Sequence, residues 1–190
     1  MSKILKGYTG LQTAAFTQVG TGTFANQCNS VSLVRASNGG AFSCCAIVKA
    51  APATPFTVTM HFINYGTTVA YQGYGPCWSQ SSDGKLATYT MYSATTYNFL
   101  RINKWNNETT YSAAYVADIV FPLPDARWFK LEDTGTNRLM YMSTDGKNWV
   151  QEHTIGRTDF LTANQVGFIV DPYSQACAIV CDHFKIEYTG

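Results

Sequence analysis

Apolar and polar positions alternate along most of the chain, and helical periodicity is nearly absent. In Phe56-Thr57-Val58-Thr59-Met60-His61-Phe62, the four apolar residues share one face and Thr57, Thr59 and His61 share the other. That period of two predicts a half-buried strand. Val166-Gly167-Phe168-Ile169-Val170 is a continuous apolar run and predicts a strand buried on both faces. Ala178 to Tyr188 predicts a closing strand, with Val180, Phe184, Ile186 and Tyr188 on one face and His183, Lys185 and Glu187 on the other. Turn clusters at Ser37-Asn38-Gly39-Gly40, Tyr74-Gly75-Pro76 and Ser81-Ser82-Asp83-Gly84 separate these runs. Many short strands at regular spacing predict an all-β fold, an antiparallel β-sandwich or jelly roll, as one domain over residues 1–190.

The last third of the chain is the most regular. A strand over Arg127–Glu132 leads through Asp133-Thr134-Gly135-Thr136-Asn137 to a second strand over Arg138–Met142. Ser143-Thr144-Asp145-Gly146-Lys147-Asn148-Trp149 then closes another hairpin, and Asp145-Gly146 suits a type I′ turn because both residues tolerate positive φ. Trp128 and Trp149 are expected to pin their strands to the core. Arg157 and Asp159 are expected to pair as ions, and Asp182 to bond a turn amide. The stretch from Thr88 to Leu123 is less regular. Tyr89–Tyr92 and Phe99–Ile102 alternate as strands, Asn103–Tyr115 reads as polar, aromatic loop, and Phe121-Pro122-Leu123-Pro124-Asp125 reads as an irregular connection.

Composition narrows the function classes. Hydrophobic residues make up 46% of the chain, a globular proportion, but charged residues only 13%. Polarity comes instead from Thr, Ser, Asn, Gln and 12 Tyr, a surface suited to subunit packing or to neutral, hydroxyl-rich ligands. Net charge is +1 with no basic patch, which argues against nucleic acid as a partner. No run is long and apolar enough for a membrane helix. Met1 to Gly7 lacks the apolar core of a signal peptide, so synthesis in a cytoplasm is expected. The cysteines, Cys28, Cys44, Cys45, Cys77, Cys177 and Cys181, include no Cys-x-x-Cys pair. Cys44 and Cys45 are expected on opposite faces of a strand, Cys177 and Cys181 on one face, and all six as buried, reduced thiols.

Several of these segments resemble the concanavalin A-like lectin/glucanase superfamily. They are Arg127-Trp128-Phe129-Lys130-Leu131, Gly135-Thr136-Asn137-Arg138, the Ser143–Trp149 turn, Phe160–Phe168, Cys181-Asp182-His183-Phe184-Lys185-Ile186 and, upstream, Ala53–Thr59. The likeness spans residues 14–188 and is sharp from 127 to 186. Gly-Thr-Asn-Arg before the Ser-x-Asp-Gly turn, with Arg157-Thr158-Asp159-Phe160 after it, is similar to small sandwich proteins of tailed bacteriophages. The resemblance implies a concanavalin A-like jelly roll acting as a virion component, for capsid decoration or as a tail or adhesion part. It further implies docking to other virion subunits, assembly as a homo-oligomer and contact with a host-surface glycan.

Catalytic chemistry finds no support in the residues. The hydrolases of the superfamily carry paired carboxylates spaced Glu-x-Asp-x-x-Glu, as glycoside hydrolysis requires, and this chain lacks the motif. Glu132 and Asp133 are adjacent, so they face opposite ways. There is no Gly-x-Ser-x-Gly elbow, and His61, His153 and His183 lie on predicted strands. His183 sits two residues from Cys181, so the two are expected to share a face, a hint of a metal pair or a Cys/His pair. No Asp/Asn-rich calcium loop appears, so neither metal nor cofactor is expected. The positive signal is aromatic. Tyr71, Tyr74 and Trp78 fall around a Gly/Pro turn, Tyr92 and Tyr97 follow, and Trp105, Tyr111 and Tyr115 are interleaved with Asn106, Asn107, Thr109 and Thr110. Rings stack on the C–H faces of sugars and amides pair with their hydroxyls. Tyr71, Tyr74, Trp78, Trp105, Asn106 and Tyr111 are therefore the candidate glycan or interface patch of a non-enzymatic protein. A free carbohydrate-binding module or lectin is the alternative, and a glycoside hydrolase a more distant one.

Overall fold

The computed structural model describes residues 11–64, 71–93, 97–121 and 127–188. Residues 1–10 and the connection over 122–125, both read from sequence above, lie outside them. A 3₁₀ turn at Thr13–Ala15 precedes β1 (Thr17–Val19), β2 (Thr23–Gln27), β3 (Ser30–Arg35), β4 (Cys45–Ala50) and β5 (Phe56–Asn64). Next come β6 (Gln72–Ser79), β7 (Leu86–Ser93), β8 (Asn98–Asn107), β9 (Thr110–Phe121) and β10 (Trp128–Asp133). β11 (Asn137–Ser143), β12 (Val150–Gly156), β13 (Gln165–Asp171) and β14 (Cys177–Tyr188) complete the chain. They build two antiparallel seven-stranded sheets: sheet A in the order β1-β4-β13-β6-β7-β8-β9, and sheet B in the order β12-β11-β10-β5-β14-β3-β2.

The core lies between the sheets. From sheet B, β5 contributes Phe56, Val58, Met60 and Phe62, as its alternation predicts. Phe62 packs against Tyr74 at 6.1 Å, Phe129 at 5.6 Å and Phe168 at 5.4 Å, so rings from both sheets interdigitate. Each such ring contributes roughly 1.5–3 kcal/mol by leaving water.

Four sequence expectations change in the folded chain. Tyr74-Gly75-Pro76 is no turn, since β6 runs through it as a central strand buried along its whole length. Glycine admits a neighbour there: a Cβ on Gly73 would lie 2.5 Å from the Tyr92 ring. The polar stretch from Asn103 to Tyr115 is a long β8–β9 hairpin with repeated register shifts, which bend it. β14 carries a bulge between Cys181 and His183. The bulge turns Cys177, Ile179 and Cys181 to the core, and then Phe184 and Ile186, leaving Val180 and His183 outside. Finally, Cys28 is exposed at the β2–β3 turn with φ 53, while the other five cysteines are buried; all six are free. Cys44 and Cys45 do face opposite sides of their sheet.

The ion pair beside the meander also differs from expectation. Arg157 Nε donates to both oxygens of Asp133 at 3.1 Å, and Asp159 takes no part. Arg138, wholly buried, lies 3.5 Å from the same carboxylate and donates to Leu161 O at 3.2 Å. Gly135 N also donates to Asp133 Oδ1, at 2.9 Å. Asp133 thus compensates a buried guanidinium. Asp133→Ala should lower stability by about 3–5 kcal/mol in urea unfolding, because it strands that charge. Asp159→Ala should change it by less than about 0.5 kcal/mol.

Candidate functional site

A binding face on a sandwich is the outer surface of one of its sheets or the loops at its ends. The outer face of sheet A is largely closed by its own hairpin. Glu108, at the tip of β8–β9, accepts a hydrogen bond from Cys44 N at 2.8 Å, although β4 lies on the far side of the sheet. The sheet therefore curls, and the hairpin tip reaches across its outer face. Beneath it Cys44, Ala46, Val48, Cys77, Leu86, Trp105 and Ile169 form a second, smaller apolar cluster, flanked by Val19 and Tyr111. Trp105 Nε1 donates to Thr88 Oγ1 at 3.2 Å within it.

A polar cluster continues the same face. Tyr92 lies over Gly73, and its hydroxyl donates to Asp171 Oδ2 at 3.0 Å and accepts from Asn103 Nδ2 at 3.2 Å. Asp171 Oδ1, Asn103 Oδ1 and Thr90 Oγ1 are buried without a hydrogen-bond partner among the described residues. Burial raises the Asp171 carboxyl from its ordinary value to about 7, against the hydrogen bonds from Tyr92 and the Tyr173 backbone. Arg101 packs over the rings of Tyr92 and Phe99 and is held by Asp118, its Nε donating at 2.8 Å.

At the end of this face the rings come to the surface. Phe42 stacks on Tyr111 at 5.5 Å and meets Tyr173 at 5.5 Å. Tyr173 meets Tyr71 at 5.4 Å; Tyr71 and Tyr97 both meet Phe99 at 6.1 Å. Phe42, Tyr71 and Tyr97 are 41%, 42% and 49% exposed, so the ridge is open to a ligand. Tyr71 and Tyr173 adopt φ of 68 and 48. Left-handed backbone is uncommon for bulky residues and costs on the order of 1–3 kcal/mol each, so the surrounding structure imposes it.

Of the residues singled out in the sequence, Tyr71 and Tyr111 join this ridge. Tyr74 and Trp78 point into the core between the sheets, Trp105 is sealed under the hairpin, and Asn106 is exposed near the hairpin tip. Phe42 and Tyr173 escaped notice because each is a lone ring in a loop, joined to the others only by the fold.

The outer face of sheet B is open. Trp128 and Trp149 do not reach the core: both are half-buried on this outer face and line a groove of about 430 Å³ with Thr57, Thr59, Lys130 and His183. The Ser143–Trp149 segment is a wide loop and not a type I′ turn, since only Gly146 has positive φ, at 72. Asp145 Oδ1 accepts from Lys147 N at 2.8 Å and Asn148 N at 2.9 Å, and Ser143 Oγ accepts from Gly146 N at 2.9 Å. These bonds hold the Asp145 carboxyl well below the usual carboxylate range. Gly146 lies flat on Trp128, where a Cβ would fall 2.9 Å from the indole. Asp182 meets His61 Nδ1 at 2.6 Å in place of a turn amide. No cluster of metal-ligating side chains occurs among the described residues.

The Asp171 carboxyl gives a pH signature. Its folded value of about 7 lies above the ordinary 3.8, so the native state binds the extra proton between these limits. Stability is greatest below pH 3.8 as far as this group is concerned. It falls as pH rises towards 7, with a limiting slope of about 1.4 kcal/mol per pH unit. Asp171→Asn should flatten that dependence in thermal melts taken from pH 4 to 8.

No protein-family model matches the chain, and no curated protein does. Solved structures do. A functionally unknown protein from Saccharomyces cerevisiae superposes with a TM-score of 0.71 at 11% identity, over 95% of this chain and 100% of that one. The Bacteroides ovatus xyloglucan PUL protein GH43B, a glycoside hydrolase, gives 0.64 at 12% identity, over 86% of this chain. This chain spans about a third (34%) of that enzyme's length. A legume lectin-like domain from Entamoeba histolytica gives 0.60 at 9% identity, over 93% of this chain and 91% of that one. At such identities the likeness is one of fold, and the fold is a lectin-like, concanavalin A-like sandwich.

Proposed function

We propose that the protein is a glycan-binding, lectin-like sandwich that makes and breaks no bonds. The observation that carries this reading is the exposed aromatic ridge of Phe42, Tyr173, Tyr71 and Tyr97, with two tyrosines held in left-handed backbone conformation. Rings fixed before binding offer a stacking surface at little entropic cost. The carboxylates near the ridge are committed elsewhere, Asp171 beneath Tyr92 and Asp118 on Arg101, which favours binding over hydrolysis. The lectin-like fold is consistent with the same use.

A glycan array on the whole chain, followed by calorimetry on any hit, tests the reading. Tyr71→Ala and Tyr173→Ala should each weaken binding by about tenfold, or roughly 1.4 kcal/mol. An empty array, or binding indifferent to both substitutions, would falsify it.

A second element of the proposal is setting. The resemblance to tailed-phage sandwich proteins supports a role as a virion component that docks onto other subunits as a homo-oligomer. Light scattering at two concentrations should then return a closed oligomer at both, and a monomer at both would remove this element while leaving glycan binding intact.

A further inference from the structure

We infer that the groove between Trp128 and Trp149 on the outer face of sheet B is a second binding site, separate from the aromatic ridge, for a pyranose carrying a carboxylate. Strand register writes the site in rows. Trp128, His61 and His183 lie side by side across β10, β5 and β14. The next row is Lys130, Thr59 and Lys185, and the third is Glu132, Thr57 and Glu187. Adjacent strands are about 4.8 Å apart, so each row spans about 10 Å, the reach of one or two sugar rings.

The rows hold two lysines and two glutamates, but Glu132 does not line the groove, so the lining, with Lys130, Lys185 and Glu187, is left with one positive charge. Lys185 Nζ is neutralised by Glu187 Oε1 at 2.6 Å. Glu132 Oε2 accepts from the Tyr141 hydroxyl at 2.9 Å. Lys130 has no carboxylate partner among the described residues. Its ammonium sits 4.0 Å from the Tyr141 ring centroid and 5.0 Å from that of Trp149. Two rings fix this cation in place but leave its hydrogen-bonding capacity unspent, because an ammonium carries three donors. It is the groove's one uncompensated charge among the described residues.

The remaining lining sets the rest of the ligand. Trp128 is clamped by Gly146 on one side and by His61 at 4.6 Å and His183 at 5.1 Å, so its indole is a rigid wall. The hydroxyls of Thr57 and Thr59 make no hydrogen bond among the described residues and line the groove between the flanking strands. A flat carbon skeleton answers the indoles, hydroxyls answer the threonines and His183, and a carboxylate answers Lys130. A neutral sugar leaves Lys130 unanswered, and an aromatic acid leaves the threonines so. A volume of about 430 Å³ lies in the range of small-molecule sites.

The test uses the full chain, with trigalacturonate, a glucuronate oligomer and sialyllactose as probes. Each is compared with its carboxyl-methyl ester, which keeps the ring and hydroxyls and removes the charge. Calorimetry and tryptophan fluorescence read binding. At least one acid should bind roughly tenfold more tightly than its ester, with an affinity that falls as salt rises. Lys130→Met should remove that preference while the ester's affinity is unchanged, and Trp149→Ala should weaken both. Tyr71→Ala, on the ridge, should alter neither, so this site and the ridge stand or fall separately. Equal affinity for acid and ester, no binding of any probe at millimolar concentration, or acid binding untouched by Lys130→Met in a variant that melts like wild type would each overturn the assignment.

Discussion

One hydrogen bond, from Cys44 N to Glu108 O, joins the start of β4 to the β8–β9 turn, which the sheet order puts on opposite sides of sheet A. A flat sheet cannot make it, so the bond reports a curl sharp enough to bring a hairpin tip across the sheet's outer face. Much else follows from that curl. β6 and β7 are buried on both faces, Trp105 has a core of its own, and the Asp171–Tyr92–Asn103 cluster is desolvated enough to hold a carboxyl near neutrality. Rings reach solvent on this side at the margin, which is where the ridge forms.

Sheet B is organised on the opposite principle. Its inner face packs the core, and its outer face remains open, with polar and aromatic side chains in register rows. The Ser143–Asn148 loop is locked by its own Ser143 and Asp145 side chains, and it leans Gly146 on Trp128. A motif whose first service is to a turn thereby becomes the wall of a groove. The bulge at Asp182 has a similar double effect, since it keeps Phe184 in the core and swings His183 onto the open face beside His61.

Buried charge is confined to places where partners are in reach. Arg138 is wholly buried and shares Asp133 with Arg157, a network that draws β10, β11 and the segment after β12 together. Buried ionic groups add little net stability over apolar ones, yet removing one partner is costly. The arrangement therefore fixes geometry more than it adds stability.

The sequence by itself determined the architecture. Period-two alternation in β5 specifies a strand and the face it buries, and the apolar run of β13 and the meander from Trp128 to Ser143 each specify strands, because those signals are local. The same locality explains the misreadings. Gly75 and Pro76 look like a turn until neighbouring strands show that the glycines admit close contact, and a bulge at Asp182 cannot be read from residue spacing. Trp128 and Trp149 carry no mark of which side of a sheet they face. Of the six candidate ligand residues, only Tyr71 and Tyr111 share the surface ridge, whereas Phe42 and Tyr173, distant in the chain, complete it. Which rings gather, which cation lacks a partner and which face stays open depend on register, curl and burial. Those are relations between strands, and only the tertiary structure decided them.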